Sequence, residues 1–222
     1  MHSFLSSLLS YIGILFVLLL CVLTLTPPPP PPMRFIETIK PWPPELEKPY
    51  PDLELIDQNG RAFRLSDYRG KVILLQNIGI NNPASQTLAG SSKKGAYLGV
   101  PLQEDLNSIY DFFPRYTGGL RLPNKDVVFI QIIFYGISFG HPTQKEAQAW
   151  AAHFDMRAEK NQIVAVSPHD LRSGKTYGLI PGFHLIDRNF ILRADSSGPK
   201  PKDDLFKILL PMVPFAIKAE KR

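Results

Sequence analysis

The chain has 222 residues, of which 44% are apolar and 20% are charged, and it carries a formal charge of +5. This composition is ordinary for a globular protein with one sizeable core. No basic run is longer than two residues, which argues against a nucleic-acid partner. The single cysteine, Cys21, excludes an internal disulfide and any cysteine cluster for a metal.

Residues 1–26 predict an N-terminal transmembrane anchor. The run from Phe4 to Thr26 is apolar and uncharged, and its ~23 residues would span roughly 34 Å as a helix at ~1.5 Å per residue. A cleaved signal peptide is the alternative, but the run lacks both a basic start and small residues at its end. A lipoprotein signal at Cys21 is not supported, since leucines directly precede that residue.

Residues 27–45 predict a proline-rich linker. Pro27 to Pro32 are consecutive prolines, which form a semi-rigid polyproline II spacer of roughly 19 Å at ~3.1 Å per residue. A ligand for a polyproline-binding module is the alternative, and the spacer is favoured because the run directly follows the apolar segment. We expect Trp42, within a second proline cluster, to fasten this arm to the domain.

Residues 46–222 predict one α/β domain that begins with a β-hairpin. Its strands at 53–56 and 62–65 flank Asn59-Gly60, which supplies the positive φ of a tight turn. An apolar strand then follows at 72–75.

The middle of the chain predicts a long loop followed by alternating helices and strands. Residues 87–101 are rich in glycine and serine, and apolar residues at helical spacing then predict a helix over 102–116, bent or ended by Pro114. Residues 126–134 form an apolar run typical of a strand buried on both faces. The remaining elements are a helix at 143–154 with capping-box spacing between Thr143 and Glu146, a strand at 162–166, a hairpin of strands 182–187 and 190–193, and a closing helix at 202–219.

This order of elements and three motifs resemble the thioredoxin-like superfamily, most closely the membrane-tethered thioredoxins and the peroxiredoxin-like redoxins. The run Pro51 to Leu75, PDLELIDQNGRAFRLSDYRGKVILL, is similar to the first hairpin of those families. Their Cys-Pro-x-Cys motif falls on Asn82-Pro83-Ala84-Ser85, where the proline is kept and both cysteines are absent. Ile180-Pro181 matches the position of the family's cis-proline. The resemblance implies a thioredoxin-like fold with an extra N-terminal β-hairpin, behind one transmembrane helix.

The residues of this motif argue against thiol chemistry. That chemistry needs a thiolate at the head of a helix, where the dipole and free N–H groups lower the thiol pKa. Asn82 and Ser85 provide no thiolate, so we expect neither disulfide exchange nor thiol-peroxidase turnover from residues 46–222 alone. Asn82 and Pro83 also suit a helix cap and a first helical turn, so a purely structural role is the alternative.

The resemblance instead implies a binding groove. In active relatives the cis-proline turn offers backbone groups to an extended peptide, which requires no cysteine. The alternative is that Pro181 only defines a turn of the fold. The predicted binding residues are Asn82, Pro83, Ser85, Ile180, Pro181 and Gly182.

No cofactor or metal is predicted. The four histidines of the domain, at 141, 153, 169 and 184, lack the spacing of paired metal ligands. The segment Gly90 to Gly95, GSSKKG, has the residue types of a phosphate-binding loop without the spacing of a Walker motif, and we interpret it as a solvated loop. The acids at 187, 195, 203 and 204 are interpreted as turn and helix-start residues.

The predicted function is therefore that of a membrane-anchored, non-catalytic module that binds a protein or an extended peptide in assembly or chaperoning. One alternative is a redoxin-related enzyme that works with an external thiol or with another reaction at Ser85. Another is a structural subunit of a membrane complex that uses the closing helix or residues 87–101. The resemblance places the domain on the extracytoplasmic, periplasmic side, whereas Arg34 and Lys40 favour the cytoplasm by the positive-inside rule.

Overall fold

A mixed seven-stranded sheet forms the centre of the computed structural model, which describes residues 42–219. The order of the strands across the sheet is β2-β1-β5-β4-β3-β6-β7. β3, β4 and β5 are parallel, and every other neighbouring pair is antiparallel. The strands are β1 (Glu54–Asp57), β2 (Ala62–Arg64), β3 (Val72–Gly79), β4 (Val127–Tyr135), β5 (Gln162–Val166), β6 (Gly182–Ile186) and β7 (Leu192–Ser197).

Helices connect the parallel strands and close the described part of the chain. The last helix follows one π-helical turn, Leu205–Leu209. Short 3-10 turns occur at Leu65–Tyr68, Tyr97–Gly99 and Ala158–Lys160. The helices are α1 (Pro83–Ala89), α2 (Ser91–Lys94), α3 (Ile109–Tyr116), α4 (Gln144–Phe154), α5 (Gly174–Tyr177) and α6 (Leu210–Lys218).

Both faces of the central strands are buried, as the apolar sequences of β3 and β4 require. Because side chains alternate along a strand, Leu74 and Ile78 of β3 face one core together with residues of α1, α3, α4 and α6. Ile73 and Leu75 face a second core, which the first hairpin and the turn at Phe190 cover. The sheet therefore separates two apolar layers, and α1 belongs to the first of them.

Several sequence predictions are confirmed. The first hairpin pairs Leu55 with Phe63, and it extends the sheet through β5. Thr143 caps α4, and Glu146 reaches back to the Thr143 amide, which completes the predicted capping box. The strand at 162–166 has the predicted bounds.

The predicted bounds of three elements are wrong. β3 continues to Gly79, not to residue 75, because Gln76 and Asn77 still pair with β4 and β6 on either side. The last strand covers Leu192–Ser197 instead of 190–193, because Phe190 has a φ of 69° and lies in the turn. The closing helix begins after Asp204, whose carboxylate caps the π-helical turn, and not at residue 202.

The segment between β3 and β4 also differs from its prediction. Residues 87–101 are not one loop, since α1 continues to Ala89 and α2 follows it directly. The helix predicted over 102–116 begins only at Ile109, because Ser108 has extended backbone angles and Leu102 is exposed to solvent. Pro114 lies within α3, and the helix ends two residues later, at Tyr116.

The N-terminal arm contacts the domain at Trp42, as expected. Its indole Nε1 donates a 3.0 Å hydrogen bond to Thr176 Oγ1, and its ring lies 5.5 Å from the ring of Phe134. The predicted anchor, 1–26, and most of the predicted linker lie outside the described residues. Within residues 42–219, none of the helices has the length and hydropathy needed to span a membrane.

Candidate functional site

The segment from Gly79 to Ser85 carries the chain from β3 into α1. Asn82 has extended backbone angles, and its Oδ1 accepts a 2.8 Å hydrogen bond from the amide of Ser85. Pro83 is the first residue of the helix, where its missing N–H leaves no donor unsatisfied. The capping interpretation of Asn82 and Pro83 is therefore confirmed, and the cap fixes the N-terminus of α1 at the end of β3.

The turn before β6 approaches this helix start. The Ile180-Pro181 peptide bond is cis, as the resemblance implied. A β-carbon built on Gly79 would lie 3.8 Å from Ile180 Cγ2, 3.8 Å from Tyr135 Cβ and 3.9 Å from Asn82 Cβ. Gly79 therefore lies at the centre of three residues, and the fold brings the two motifs together although about a hundred residues separate them.

Gly182 holds the cis-proline turn close to the neighbouring strand. A β-carbon at this position would lie 2.3 Å from Ser197 Cα and 2.7 Å from the carbonyl oxygen of Leu179, so only glycine fits. The Gly198 amide donates a 2.9 Å hydrogen bond to the Pro181 carbonyl. Gly182 thus positions the turn and presents no side chain to a ligand.

One backbone group of the turn remains available. The Ile180 amide donates to the Tyr177 carbonyl at 3.1 Å, whereas the Ile180 carbonyl accepts no hydrogen bond from any residue in the described range. Asn82, Pro83 and Pro181 are partly exposed beside it. The turn can therefore offer one acceptor to an extended backbone.

Exposed apolar side chains belong to the segments beside this turn. Ile137, Phe139 and Tyr177 are 43%, 57% and 58% exposed. The Tyr177 ring packs edge-on against Tyr135 at 5.5 Å. We call this the cis-proline surface; it comprises Asn82, Pro83, Tyr135, Ile137, Phe139, Tyr177, Ile180 and Pro181.

Hydrogen bonds hold the loop after β4 against the rest of the cis-proline surface. The side chain of Asn81 donates to the Ile137 carbonyl, and Arg172 Nη1 donates to the Phe139 carbonyl at 2.9 Å. The Tyr135 hydroxyl donates to the Ser173 carbonyl at 2.9 Å. The apolar rim is thus built on a fixed backbone, although its side chains face solvent.

Residues 87–101 leave the cis-proline surface open. Tyr97 bonds to the side chain of Gln86 and packs its ring against Trp150 and Phe154 of α4. The carbonyl of Gly95 lies 2.9 Å from a ring nitrogen of His153 on the same helix. This segment therefore covers the outside of the helices.

Ser85 and His184 do not form a catalytic pair. Ser85 is fully buried on α1, and its hydroxyl has no hydrogen-bond partner among residues 42–219. His184 pairs with Leu75 in the sheet, so its ring faces the second core, on the other side from α1. Its Nδ1 lies 2.8 Å from the Tyr50 hydroxyl, and its Nε2 lies 3.2 Å from Asp195 Oδ1.

The buried polar groups around His184 form a network that stabilises the fold. Burial opposes the ionisation of Asp195, but His184, Ser197 and Lys202 outweigh that effect and hold the pKa of Asp195 well below its usual range. Burial raises the pKa of Tyr50 well above its usual value, and the charge of Asp195 adds to this effect. Asp195 is therefore an ionised member of a buried network and not a turn residue, which corrects the sequence interpretation.

Buried amides behind the cis-proline surface were missed by the sequence analysis. Gln131 donates to Gln76 at 2.8 Å and accepts from the Trp150 indole at 2.7 Å, so the side chains connect β3, β4 and α4. Asn77 is fully buried beside Gly182, and neither side-chain atom has a partner among the described residues. The signal in the sequence was the polar Gln76-Asn77 pair inside an otherwise apolar strand.

The aromatic rim was missed for a different reason. Tyr135, Phe139 and Tyr177 belong to separate segments, and only the fold brings them beside Ile180. Within the described range, no group of three or more His, Cys, Asp or Glu residues is placed to hold a metal ion. The site therefore offers apolar contact and backbone hydrogen bonding.

We compared the chain with known proteins, and solved structures gave matches that concern its fold. Neither protein-family models nor curated proteins gave a match. Among solved structures, the chain is similar to a candidate electron transfer protein from Aquifex aeolicus VF5, with a TM-score of 0.51 and 16% identity over 77% of this chain and 98% of that chain. It is also similar to a candidate protein disulfide isomerase from Bacteroides thetaiotaomicron, with a TM-score of 0.51 and 16% identity over 79% and 92% of the two chains.

These likenesses agree with the architecture. A hairpin precedes the parallel strands β3, β4 and β5, and a cis-proline turn leads into the antiparallel pair β6 and β7 and then into a helix. At such low identity, the similarity to solved structures concerns the fold alone. The chain therefore has a thioredoxin-like fold.

Proposed function

We propose that this protein is a membrane-tethered, non-catalytic thioredoxin-like module that binds an extended apolar segment of another protein at the cis-proline surface. The observation that carries the proposal is the set of exposed apolar side chains on the segments beside a cis-proline turn with an unused Ile180 carbonyl. Apolar side chains of a partner would pack on Tyr177, Phe139 and Ile137. Its backbone would donate to Ile180, as in strand addition.

The residue types at the helix start support binding without thiol chemistry. The chain's one cysteine is Cys21, in the predicted anchor, and Asn82 and Ser85 occupy the positions of the family's thiols. Asn82 is committed to capping α1, and Ser85 is fully buried. A side chain that caps its own helix and a hydroxyl without an adjacent base are poor nucleophiles.

The sequence supports the membrane tether in this proposal. The uncharged run 4–26 is long enough to cross a bilayer, and the prolines from 27 to 32 would hold the domain away from it. In this proposal the domain lies on the periplasmic side and captures segments of proteins that emerge at or near the membrane.

Site-specific photocrosslinking of the full chain in its native membrane tests this proposal. A photoreactive residue replaces Tyr177 or Ile137 on the cis-proline surface, or replaces Phe215 or Ile208 near the C-terminus as a control. Phe215 is 73% exposed, and Ile208, at 40%, matches the exposure of Ile137. We expect the same partner adduct at both surface positions, its loss on Ile180→Asp, and no such adduct at the controls.

Two results would contradict the proposal. Adducts confined to Phe215 and Ile208 would place the interface on the C-terminal helix and favour a structural subunit of a membrane complex. That second function is supported by the high exposure of Phe215. Adducts at Tyr177 that persist in the Ile180→Asp variant would show that the cis-proline turn does not take part.

A further inference from the structure

A cavity opens at the other end of α1 from the cis-proline surface. Its volume is about 290 Å³, and it lies where α1 and α4 end, beside the first residue of β5. Gly90, Lys93 and Lys94 of the GSSKKG segment line it. The segment is therefore a short helix and not a loop, but its lysines are solvated, as the sequence predicts.

Positive charge dominates the wall of this cavity. The lining cations are Lys93, Lys94, Arg157 and Lys160, and Asp155 is the lining carboxylate. Because Asp111 pairs with Lys93 from outside the lining, two positive charges remain in surplus. Asp155 lies 3.0 Å from Arg157 and 3.8 Å from Lys94. Lys160 has no ion pair within residues 42–219, so its charge is available to a ligand.

Helix dipoles do not account for this set of charges. Basic residues are favourable near helix C-termini, and Lys93 and Lys94 occupy the last turn of α2. Arg157, however, lies outside every helix of the described range. Lys93 pairs with Asp111, which lies outside the cavity lining, and its side chain is largely exposed at the cavity mouth.

The rest of the wall combines an apolar surface with a hydrogen-bond donor. Leu122, Pro123 and Phe154 supply the apolar part. Gln162 Nε2 donates a 3.0 Å hydrogen bond to the Tyr110 hydroxyl. Burial, with a smaller contribution from Asp155, raises the pKa of Tyr110 far above neutral pH, so the phenol keeps its proton. Because its oxygen already accepts from Gln162, that proton can be donated to a ligand.

We propose that this cavity binds a small phosphomonoester with a compact apolar body. The phosphate would lie among Lys93, Lys94 and Lys160, since ammonium groups bind phosphate well as point charges. Two surplus charges favour a dianion over a singly charged carboxylate. The apolar body would pack on Leu122 and Phe154, and a volume near the lower end of the usual range for ligand sites limits its size.

The test uses the full chain in phosphatidylcholine nanodiscs and isothermal titration calorimetry with phenyl phosphate. Lys160→Gln removes a cavity charge without breaking any ion pair of the described residues. Lys175→Gln, on α5 and away from the cavity, is the matched control. We expect saturable binding at one site, about a tenfold loss of affinity in Lys160→Gln, and unchanged affinity in Lys175→Gln.

Each comparison ligand tests one part of the proposal. Inorganic phosphate and benzoate should both bind at least tenfold more weakly, because the first lacks the apolar body and the second lacks the second charge. Equal affinity for inorganic phosphate would overturn the apolar part of the proposal, and equal affinity for benzoate would overturn the preference for phosphate. No saturable binding of phenyl phosphate, or equal losses in the two lysine variants, would overturn the site itself.

Discussion

The Trp42 indole donates a hydrogen bond to Thr176 across 134 residues of sequence, and this bond ties the N-terminal arm to α5, directly before the cis-proline turn. Trp42 therefore lies next to the candidate binding surface.

Replacing Trp42 tests this connection. Trp42→Phe keeps a ring beside Phe134 and removes the hydrogen bond to Thr176, so the free energy of unfolding should fall by about 1 kcal/mol. Urea denaturation of the full chain in nanodiscs measures the change. Tyr177→Phe is the control, since the Tyr177 hydroxyl has no hydrogen bond to any other described residue. An unchanged stability in Trp42→Phe would contradict the anchoring role.

The two buried serines of the α1–α2 region should respond to mutation in opposite directions. Ser85→Ala removes a buried hydroxyl that has no partner among residues 42–219, so the free energy of unfolding should rise by about 1 kcal/mol. Ser91→Ala removes a hydroxyl that donates to the Gln86 carbonyl at 2.8 Å, so stability should fall by about the same amount. The two variants gain the same helix propensity from alanine, so that gain does not explain a difference between them. A fall in the free energy of unfolding of Ser85→Ala would contradict this prediction, because it would reveal a partner for the Ser85 hydroxyl.

Asp195 should make the free energy of unfolding depend on pH in the acidic range. Its pKa is depressed in the folded protein, so its contribution is complete above its unfolded pKa of about 3.9 and is lost as pH falls through the lower folded value. Asp195→Asn should lower the free energy of unfolding by about 1–3 kcal/mol at pH 7, because the buried Ser197 hydroxyl and the half-exposed Lys202 lose a charged acceptor. The difference between the two proteins should shrink below about pH 4.

An exposed aspartate provides the comparison. Arg172 lowers the pKa of Asp170 to about 2, but this pair lies at the surface. Asp170→Asn should therefore change stability by no more than about 1 kcal/mol at any pH. If both variants showed the same pH profile, the buried network around Asp195 would not be the source of the acid sensitivity.

Introducing two cysteines at residues 82 and 85 should create a disulfide. In a Cys21→Ser background, Asn82→Cys with Ser85→Cys places two thiols at the start of α1, where the helix N-terminus lowers the thiol pKa. We expect an intramolecular disulfide after mild oxidation, detected by the mass change on alkylation, and a gain of insulin reductase activity. Asn82→Cys with Ser91→Cys, the matched control, should form neither. No disulfide in the first variant would mean that these positions do not correspond to the family's motif.

Much of the fold could be predicted because local signals agree with the tertiary structure. Asn59-Gly60 forms the expected hairpin turn, Thr143 and Glu146 form the expected cap, and the cis bond occurs at Pro181. The helix start at Ile109 could not be predicted from periodicity. Leu102 and Leu106 fit the helical spacing, but the extended backbone of Ser108 interrupts it.

The candidate site was predicted only in part. The sequence placed Asn82 and Pro83 beside Ile180 through the motifs, whereas Ser85 and Gly182 are buried and fill structural roles. The apolar rim depends on long-range contacts between Tyr135 and Tyr177, which no local pattern indicates. The cavity at the other end of α1 combines residues of separate segments in the same way.

Gly79 is buried between the helix start and the cis-proline turn. Its hydrogen faces Asn82, Tyr135 and Ile180, each at ordinary contact distance from the place where a methyl group would lie. An alanine would therefore fit there and fill the space between the helix start and the turn. The gap between these three residues is thus one carbon atom wide, so Gly79→Ala would join the helix start, the end of β4 and the turn through a single methyl group while the fold is preserved.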